Sequence, residues 1–222
     1  VQIYEVGDTK DFLFFTMQLI NGRSIADIIN RRKKHVLPSK RFLPVLESIN
    51  IVIKVLDALD YAHSQDIVHR DIKPANILIE SHTGRPIITD FGIAKLLRGT
   101  TNQGASIIRG TPIYMAPEQI LKKKVDGRAD IYATGTMLFE MLVSNLPLPA
   151  FGQAVELLKM KLILKDRLIQ KRPSAINPLI GEEMEHILFK AIAYDPENRY
   201  ATCRAFLEDL KSYRDNHLKE KP

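Results

Sequence analysis

Apolar positions along the chain follow two periods, and the change from one to the other marks out the elements. At the start, Gln2 to Val6 and Phe12 to Leu19 read as strands, and the turn-rich Gly7-Asp8-Thr9-Lys10-Asp11 between them predicts a hairpin. Asn21-Gly22 interrupts the extended pattern. Ser24-Ile25-Ala26-Asp27 then reads as a helix start that runs into Arg31-Arg32-Lys33-Lys34. From about Phe42 to His63 the step becomes three to four residues, through Val45, Ile49, Val52, Leu56 and Leu59, with Leu46 and Ile53 widening the stripe. A stripe this wide predicts a mostly buried helix. Ile77-Leu78-Ile79 and Ile87-Ile88-Thr89 are short strands around a loop from Ser81 to Arg85. Between Gly92 and Pro117 no period is visible, and an irregular stretch of this length inside a compact domain is usually functional. Asp126 can cap a helix that runs to about Val143, is apolar on most sides and is ended by Pro147 and Pro149, which predicts a central, buried helix. Further helices are expected over Glu156 to Lys165, Glu182 to Ala193 and Cys203 to His217, with a turn at Asp195-Pro196-Glu197-Asn198 before the last. No internal repeat or linker divides the chain.

Composition narrows the class. With 45% hydrophobic and 26% charged residues over 222 positions, the chain can bury a sizeable core and is not a disordered tail. Its most apolar stretch, Ile131 to Val143, is interrupted by Thr134, Gly135, Thr136 and Glu140 and falls short of a membrane span. Val1 to Gly7 has no signal-like pattern, and the single cysteine, Cys203, precludes an internal disulfide; both fit a cytoplasmic setting. Thirty-two basic against 26 acidic residues leave a net charge of +6, concentrated at Arg31 to Lys34, at Lys122 to Lys124 and between Lys159 and Arg172. Such runs read as solvated faces. Without aromatic residues interleaved to stack bases they do not indicate nucleic-acid binding, and no HExxH or paired CxxC pattern indicates zinc.

The chemistry is concentrated in His69-Arg70-Asp71-Ile72-Lys73-Pro74-Ala75-Asn76 and, fourteen residues after the Asn, in Asp90-Phe91-Gly92. Asp71, Asn76 and Asp90 sit at the ends of short strands joined by a hairpin, which can bring them together. Two oxygen ligands and a third carboxylate on rigid turns can hold Mg²⁺ and orient a hydroxyl. Lys73, two residues beyond Asp71, projects the same way on an extended segment and can supply positive charge to a transferring phosphoryl group.

These residues form HRDIKPAN at 69–76 and DFG at 90–92, followed by Ala116-Pro117-Glu118 within GTPIYMAPE at 110–118. In this order, after an apolar helix, they resemble a eukaryotic-like (Hanks-type) serine/threonine protein kinase. The resemblance implies an α+β, protein-kinase-like fold with a mostly helical C-terminal lobe over 22–222 and a residual β-hairpin of the small lobe and hinge over 1–21. It implies transfer of the ATP γ-phosphate to Ser or Thr of protein substrates, with ATP and Mg²⁺ as cofactors. Asp71 would accept or orient the hydroxyl proton, Asn76 and Asp90 would ligate Mg²⁺, and Lys73 would contact the γ-phosphate. Thr111 would shape the acceptor pocket. Glu118 and Arg199 would form a buried ion pair, Asp130 would hold the HRD backbone, and His69, Arg70 and Phe91 would be structural. Within Thr16 to Gly22, Met17 matches a gatekeeper and the backbone of Gln18 and Ile20 the adenine partners, with Leu78 as the adenine floor. Arg70 beside Asp71 further implies a regulatory phosphate in the segment between Asp90 and Glu118, at Ser106 or alternatively at Thr100 or Thr101.

Two family features are missing. None of the eleven glycines lies two positions from another, so there is no GxGxxG, and Ile51-Val52-Ile53-Lys54 imitates the strand-lysine motif from inside a helix. The chain therefore reads as a fragment without the first three strands and the regulatory helix. Alone it is expected to bind MgATP weakly, to phosphorylate nothing efficiently, and to expose apolar surface that favours aggregation or a homodimer. Two other readings stand beside this one. A non-catalytic kinase-like binding module would have no chemical need for Asp71, Lys73, Asn76 and Asp90 together. A small-molecule phosphotransferase would not need the GT…APE segment or the Glu118/Arg199 pair.

Overall fold

A computed structural model describes residues 1, 3–9, 13–91 and 112–217. In chain order these form β1 (Ile3–Asp8), β2 (Leu13–Met17), β3 (Gly22–Ser24), α1 (Ile25–Lys33), α2 (Val45–Ser64), β4 (Ile77–Glu80), β5 (Pro86–Ile88), α3 (Pro117–Ile120), α4 (Arg128–Val143), α5 (Ala154–Leu164), α6 (Glu182–Ala191) and α7 (Cys203–His217). Short 3-10 turns occupy several joints, among them Pro74–Asn76 and Pro112–Tyr114.

The stripe on α2 is the buried face it predicts: Ile49, Val52, Leu56 and Leu59 are sealed from water where α2 packs on α4 and α7. Truncating one of these to Ala should cost about 2–5 kcal/mol, because removal leaves a cavity as well as lost apolar burial. In α4 every residue except Arg128 and Glu140 is buried, which explains a sequence that is apolar on nearly all sides. Asp126 signals its start as expected, its Oδ1 accepting from the Arg128 amide at 2.9 Å. Its end lies before the prolines: Ser144 turns into a left-handed conformation at φ 66° while its amide still bonds the Glu140 carbonyl at 2.7 Å. Gly135 allows α6 to approach, since a Cβ there would lie 2.6 Å from that of Ala191.

Strands form two antiparallel sheets, β1–β2 and β3–β4–β5. Hairpin β1–β2 is longer than its turn signals suggest, for Gly7 and Asp8 continue the strand opposite Phe14 and Leu13. The missing side chain of Gly7 is what the Phe14 ring covers; a Cβ would meet the ring at 2.3 Å. Strand β3 lies where an interruption and a helix start are expected. Only three residues long, it is too short to show a period, and pairing of Ser24 with Leu78 completes its ladder. Ser24 also caps α1, its Oγ accepting from the Asp27 amide at 3.1 Å. The β3–β4–β5 sheet packs on α1 and α2. Among the described residues no helix is long and apolar enough to cross a membrane.

Candidate active site

The site is built outward from Asp130, in the first turn of α4 and sealed from solvent. Its Oδ1 accepts from the Arg70 amide at 2.7 Å, and its Oδ2 from the His69 amide and His63 Nε2, both at 2.8 Å. An isolated buried carboxylate would cost several kcal/mol, and these three donors take the place of its water. His63 donates because its other nitrogen faces the Cys203 thiol at 3.6 Å. Burial, with Asp130 and Asp60 nearby, pushes the Cys203 pKa up and keeps the sulfur protonated.

Held this way, Arg70 adopts φ 66°, a left-handed backbone that costs about 1–3 kcal/mol for a residue with a side chain. Asp130 fixes it on one side, and on the other Gln119 Nε2 donates to the Arg70 carbonyl at 2.9 Å. His69, also buried, accepts from the Asp71 amide through Nδ1 at 3.2 Å, so its proton is on Nε2, which donates to the Thr89 carbonyl at 2.9 Å. Its ring packs on Phe91 with centroids 4.7 Å apart. One neutral imidazole thus ties the loop before Asp71 to the strand end before Asp90.

The β4–β5 register completes the juxtaposition. Ile77 lies opposite Ile88, and the Thr89 amide donates to the Asn76 carbonyl at 2.9 Å, so Asp90 follows directly beside Asn76. Asp90, like Arg70, is left-handed, at φ 59°. Asn76 Nδ2 donates to the Asp71 carbonyl at 2.8 Å and to Asp71 Oδ2 at 3.2 Å, and Lys73 Nζ reaches the same Oδ2 at 2.8 Å. The Lys73–Asp71 pair is half-exposed and worth about 0–1 kcal/mol to stability, so stability does not account for its placement. With its amide nitrogen committed to Asp71, Asn76 has a side-chain carbonyl oxygen that accepts from no described residue and could serve as an oxygen ligand. An amide oxygen and a carboxylate, as Asn76 and Asp90 would supply, are hard donors suited to Mg²⁺ shared with phosphate oxygens. Among the described residues no group of three or more His, Cys, Asp or Glu side chains could hold a metal ion.

A cleft of ≈ 410 Å³ opens beside this loop, lined by Asp71 and Lys73 on one wall and by Pro112, Ile113, Tyr114 and Met115 on the other. Tyr114 donates to Glu140 Oε2, whose other oxygen takes Lys33 Nζ at 3.2 Å. Burial and the Glu140 charge raise the Tyr114 phenol pKa and keep it protonated. Gln119 joins the two walls, since its Oε1 also accepts from the Ala116 amide at 2.9 Å. Behind them Glu118 and Arg199 form a buried, two-pronged pair at 2.7 and 2.9 Å. The remaining donors of Arg199 go to the carbonyls of Ala193, Tyr194 and Arg128, so all five N–H groups are used.

Asp71, Lys73 and Asn76 are therefore in contact, with the Asp90 backbone beside Asn76; His69, Arg70, Phe91 and Asp130 support this loop, and Glu118 and Arg199 pair behind it. Met17 closes β2 and is 39% exposed, Gln18 and Ile20 lie in the connection to β3, and Leu78 is half-buried in mid-β4 between Ser24 and Ile87. Thr111, Ser106, Thr100, Thr101 and Gly92 lie outside the described residues. A further expectation fails. The basic run from Lys159 to Arg172 is not wholly a solvated face, because Lys161 is 2% exposed and its Nζ donates to the carbonyls of Ile113 and Met115. Its helical position three residues from apolar Leu158 and Leu164 was the available signal, masked by neighbouring charges. Gln119 and His63 were likewise missed: Ala116 lacks the hydroxyl that would flag a capping box, and nothing local pairs His63 with Asp130.

The fold and this loop define a protein kinase domain. The sequence profile of that family matches residues 1–210, and the chain belongs to it. It is 34% identical to the tyrosine-protein kinase MasK of Myxococcus xanthus over 98% of this chain and 33% of that protein. It is also 34% identical to the serine/threonine-protein kinase PrkC of Bacillus subtilis over 100% of this chain and 32% of that protein. The chain thus spans about a third of the length of these curated relatives. A crystal structure of the PknI kinase domain from Mycobacterium tuberculosis superposes with a TM-score of 0.69 at 26% identity, covering 95% of this chain and 70% of that one.

Proposed function

We propose that the protein carrying this chain transfers the γ-phosphate of ATP to serine or threonine hydroxyls of other proteins, with Asp71 as the catalytic residue. The observation that carries this reading is the convergence of Lys73 and Asn76 on one oxygen of Asp71, on a loop that Asp130 holds from behind. Oδ1 of Asp71 has no hydrogen bond to a described residue and can take the hydroxyl proton as the acceptor oxygen bonds to phosphorus and ADP leaves. Lys73 would balance charge on the transferring group. Asn76 and Asp90 would hold Mg²⁺, which when bound draws negative charge from the phosphate oxygens. Met17, the backbone of Gln18 and Ile20, and Leu78 would receive adenine, and Thr111 would shape the acceptor pocket. Ser106, with Thr100 or Thr101 as alternatives, would carry the phosphate that pairs with Arg70. Use of ATP and a single, reduced cysteine support a cytoplasmic setting and a role in signalling. The exposed apolar residues Ile3, Tyr4 and Val6 of β1 support packing of the hairpin against a second copy or another element.

Asp71→Asn keeps the shape of the side chain and removes its capacity as a base. In the complete gene product, phosphate transfer from radiolabelled ATP to myelin basic protein should fall at least roughly 10²-fold with an unchanged melting temperature. Near-normal turnover would refute the assignment. Because one relative is named a tyrosine kinase, the labelled residue should be identified by acid hydrolysis, and phosphotyrosine alone would correct the acceptor class.

A further inference from the structure

We infer that Lys161, remote from the reacting groups, is a positioning residue that holds the acceptor-facing wall of the cleft in place. This inference rests on the phosphotransfer reading above. Lys161 Nζ lies 2.6 Å from the Ile113 carbonyl, 2.7 Å from that of Met115 and 3.4 Å from that of Pro112. An ammonium has three N–H donors, and here three carbonyls of one short segment receive them. The opposite side of that segment lines the cleft shared with Asp71 and Lys73.

Packing supports this wall only in part: Pro112 is buried and Tyr114 lies against the core. Behind Ile113 lies a cavity of ≈ 330 Å³ whose walls include Phe139, Leu146, Leu157 and Phe189 and whose polar border includes Lys161 itself. A segment backed by empty volume has room to retreat, so its position depends on the hydrogen bonds that anchor it. Lys161 is also an expensive anchor. It has no ion-pair partner among the described residues, and only the Tyr132 ring, 4.9 Å from Nζ, adds to the carbonyls. Burial, and then the Arg199 charge, draw its pKa down to about 7 against a smaller opposing pull from Glu118. A methionine of similar length would pack among the same leucines without that desolvation, so stability alone does not explain a lysine here.

The test compares Lys161→Met and Lys161→Arg with the parent in the complete gene product. For Lys161→Met, KM for myelin basic protein should rise roughly tenfold, the equivalent of one or two lost hydrogen bonds, while KM for MgATP stays within about twofold. Lys161→Arg, which keeps cation and donors, should recover most of that loss. Hydrogen exchange at the amides of Ile113 to Ala116 should quicken roughly tenfold in Lys161→Met, with exchange in α2 unchanged. An unchanged acceptor KM, or an equal rise for MgATP and acceptor, would overturn the inference. If the parent transfers no phosphate, the phosphotransfer reading fails by itself. Exchange then still decides the anchor, and unaltered protection of the segment in Lys161→Met overturns it.

Discussion

The two walls of the cleft are held from behind by buried charges of opposite sign. On the Asp71 wall, the Asp130 carboxylate gathers N–H groups of His69, Arg70 and His63; on the facing wall, the Lys161 ammonium gathers carbonyls of Pro112, Ile113 and Met115. The anchors differ in what surrounds them. Asp130 has a short side chain in the fully packed helix α4, whereas Lys161 has a long stem beside a cavity. A short, fully enclosed anchor allows one arrangement of the loop it holds, which suits groups that must be fixed for chemistry. A long stem beside a cavity leaves the segment it holds dependent on those hydrogen bonds for its position. Both devices act on backbone atoms, so the geometry they enforce does not depend on the side chains of the loops they hold.

The largest expected effect breaks the Asp130 side of this comparison. Asp130→Ala leaves three donors without an acceptor and releases the left-handed turn at Arg70. It should lower unfolding free energy by about 3–5 kcal/mol, read from urea melts, and cut phosphate transfer at least roughly 10²-fold. If stability fell and transfer did not, Asp130 would be a core residue with no part in arranging Asp71.

A smaller effect sharpens the contrast through pH. The folded-state pKa of Lys161, about 7, lies below its ordinary value of 10.5, so between these values the unfolded chain binds more protons. Stability then rises with pH across that window, and the cost of burying the charge is complete below pH 7. Arg199 and Glu118 act on Nζ through their charges, the Tyr132 ring lies against it, and Lys165 and Asp166 border the same cavity. Measured against the parent, Lys161→Met should gain a few kcal/mol of stability on going from pH 10 to pH 6, because the parent alone bears the cost of a buried charge at the lower pH. A difference independent of pH would mean that Lys161 stays charged throughout. A variant that is stabilised yet binds acceptor poorly would place Lys161 among residues retained for position at the expense of stability.

The smallest effect concerns the residue that spans both walls. Gln119→Ala removes one hydrogen bond to Arg70 and one from Ala116 and should cost about 1 kcal/mol in stability. Its effect on kcat/KM for acceptor should be severalfold at most, below those of the two anchors. Should Gln119→Ala and Lys161→Met prove additive in acceptor KM, the walls are independent; a double variant no worse than Lys161→Met alone would show that Gln119 acts through the segment Lys161 holds.

Much of this molecule follows from local pattern. Helices α2 and α4 were legible because their apolar residues fill most of a turn, and that can only be accommodated in a core. Asp71, Lys73 and Asn76 were legible as a site because they lie within a few residues of one another, where backbone geometry limits how far apart they can be. Asp90 required only the hairpin that Ile77 to Ile79 and Ile87 to Thr89 announce. Local pattern could not show strand β3, whose three residues form a strand only through β4, or the length of β1, which the Phe14 ring extends over Gly7. It also could not distinguish Lys161 from the solvated lysines around it. His69 and Asp130 are 61 residues apart in the chain, and Lys161 is 48 from Ile113. What a charge does depends on whether water or backbone surrounds it, and that is decided by which distant segments pack there, a property only the tertiary structure possesses.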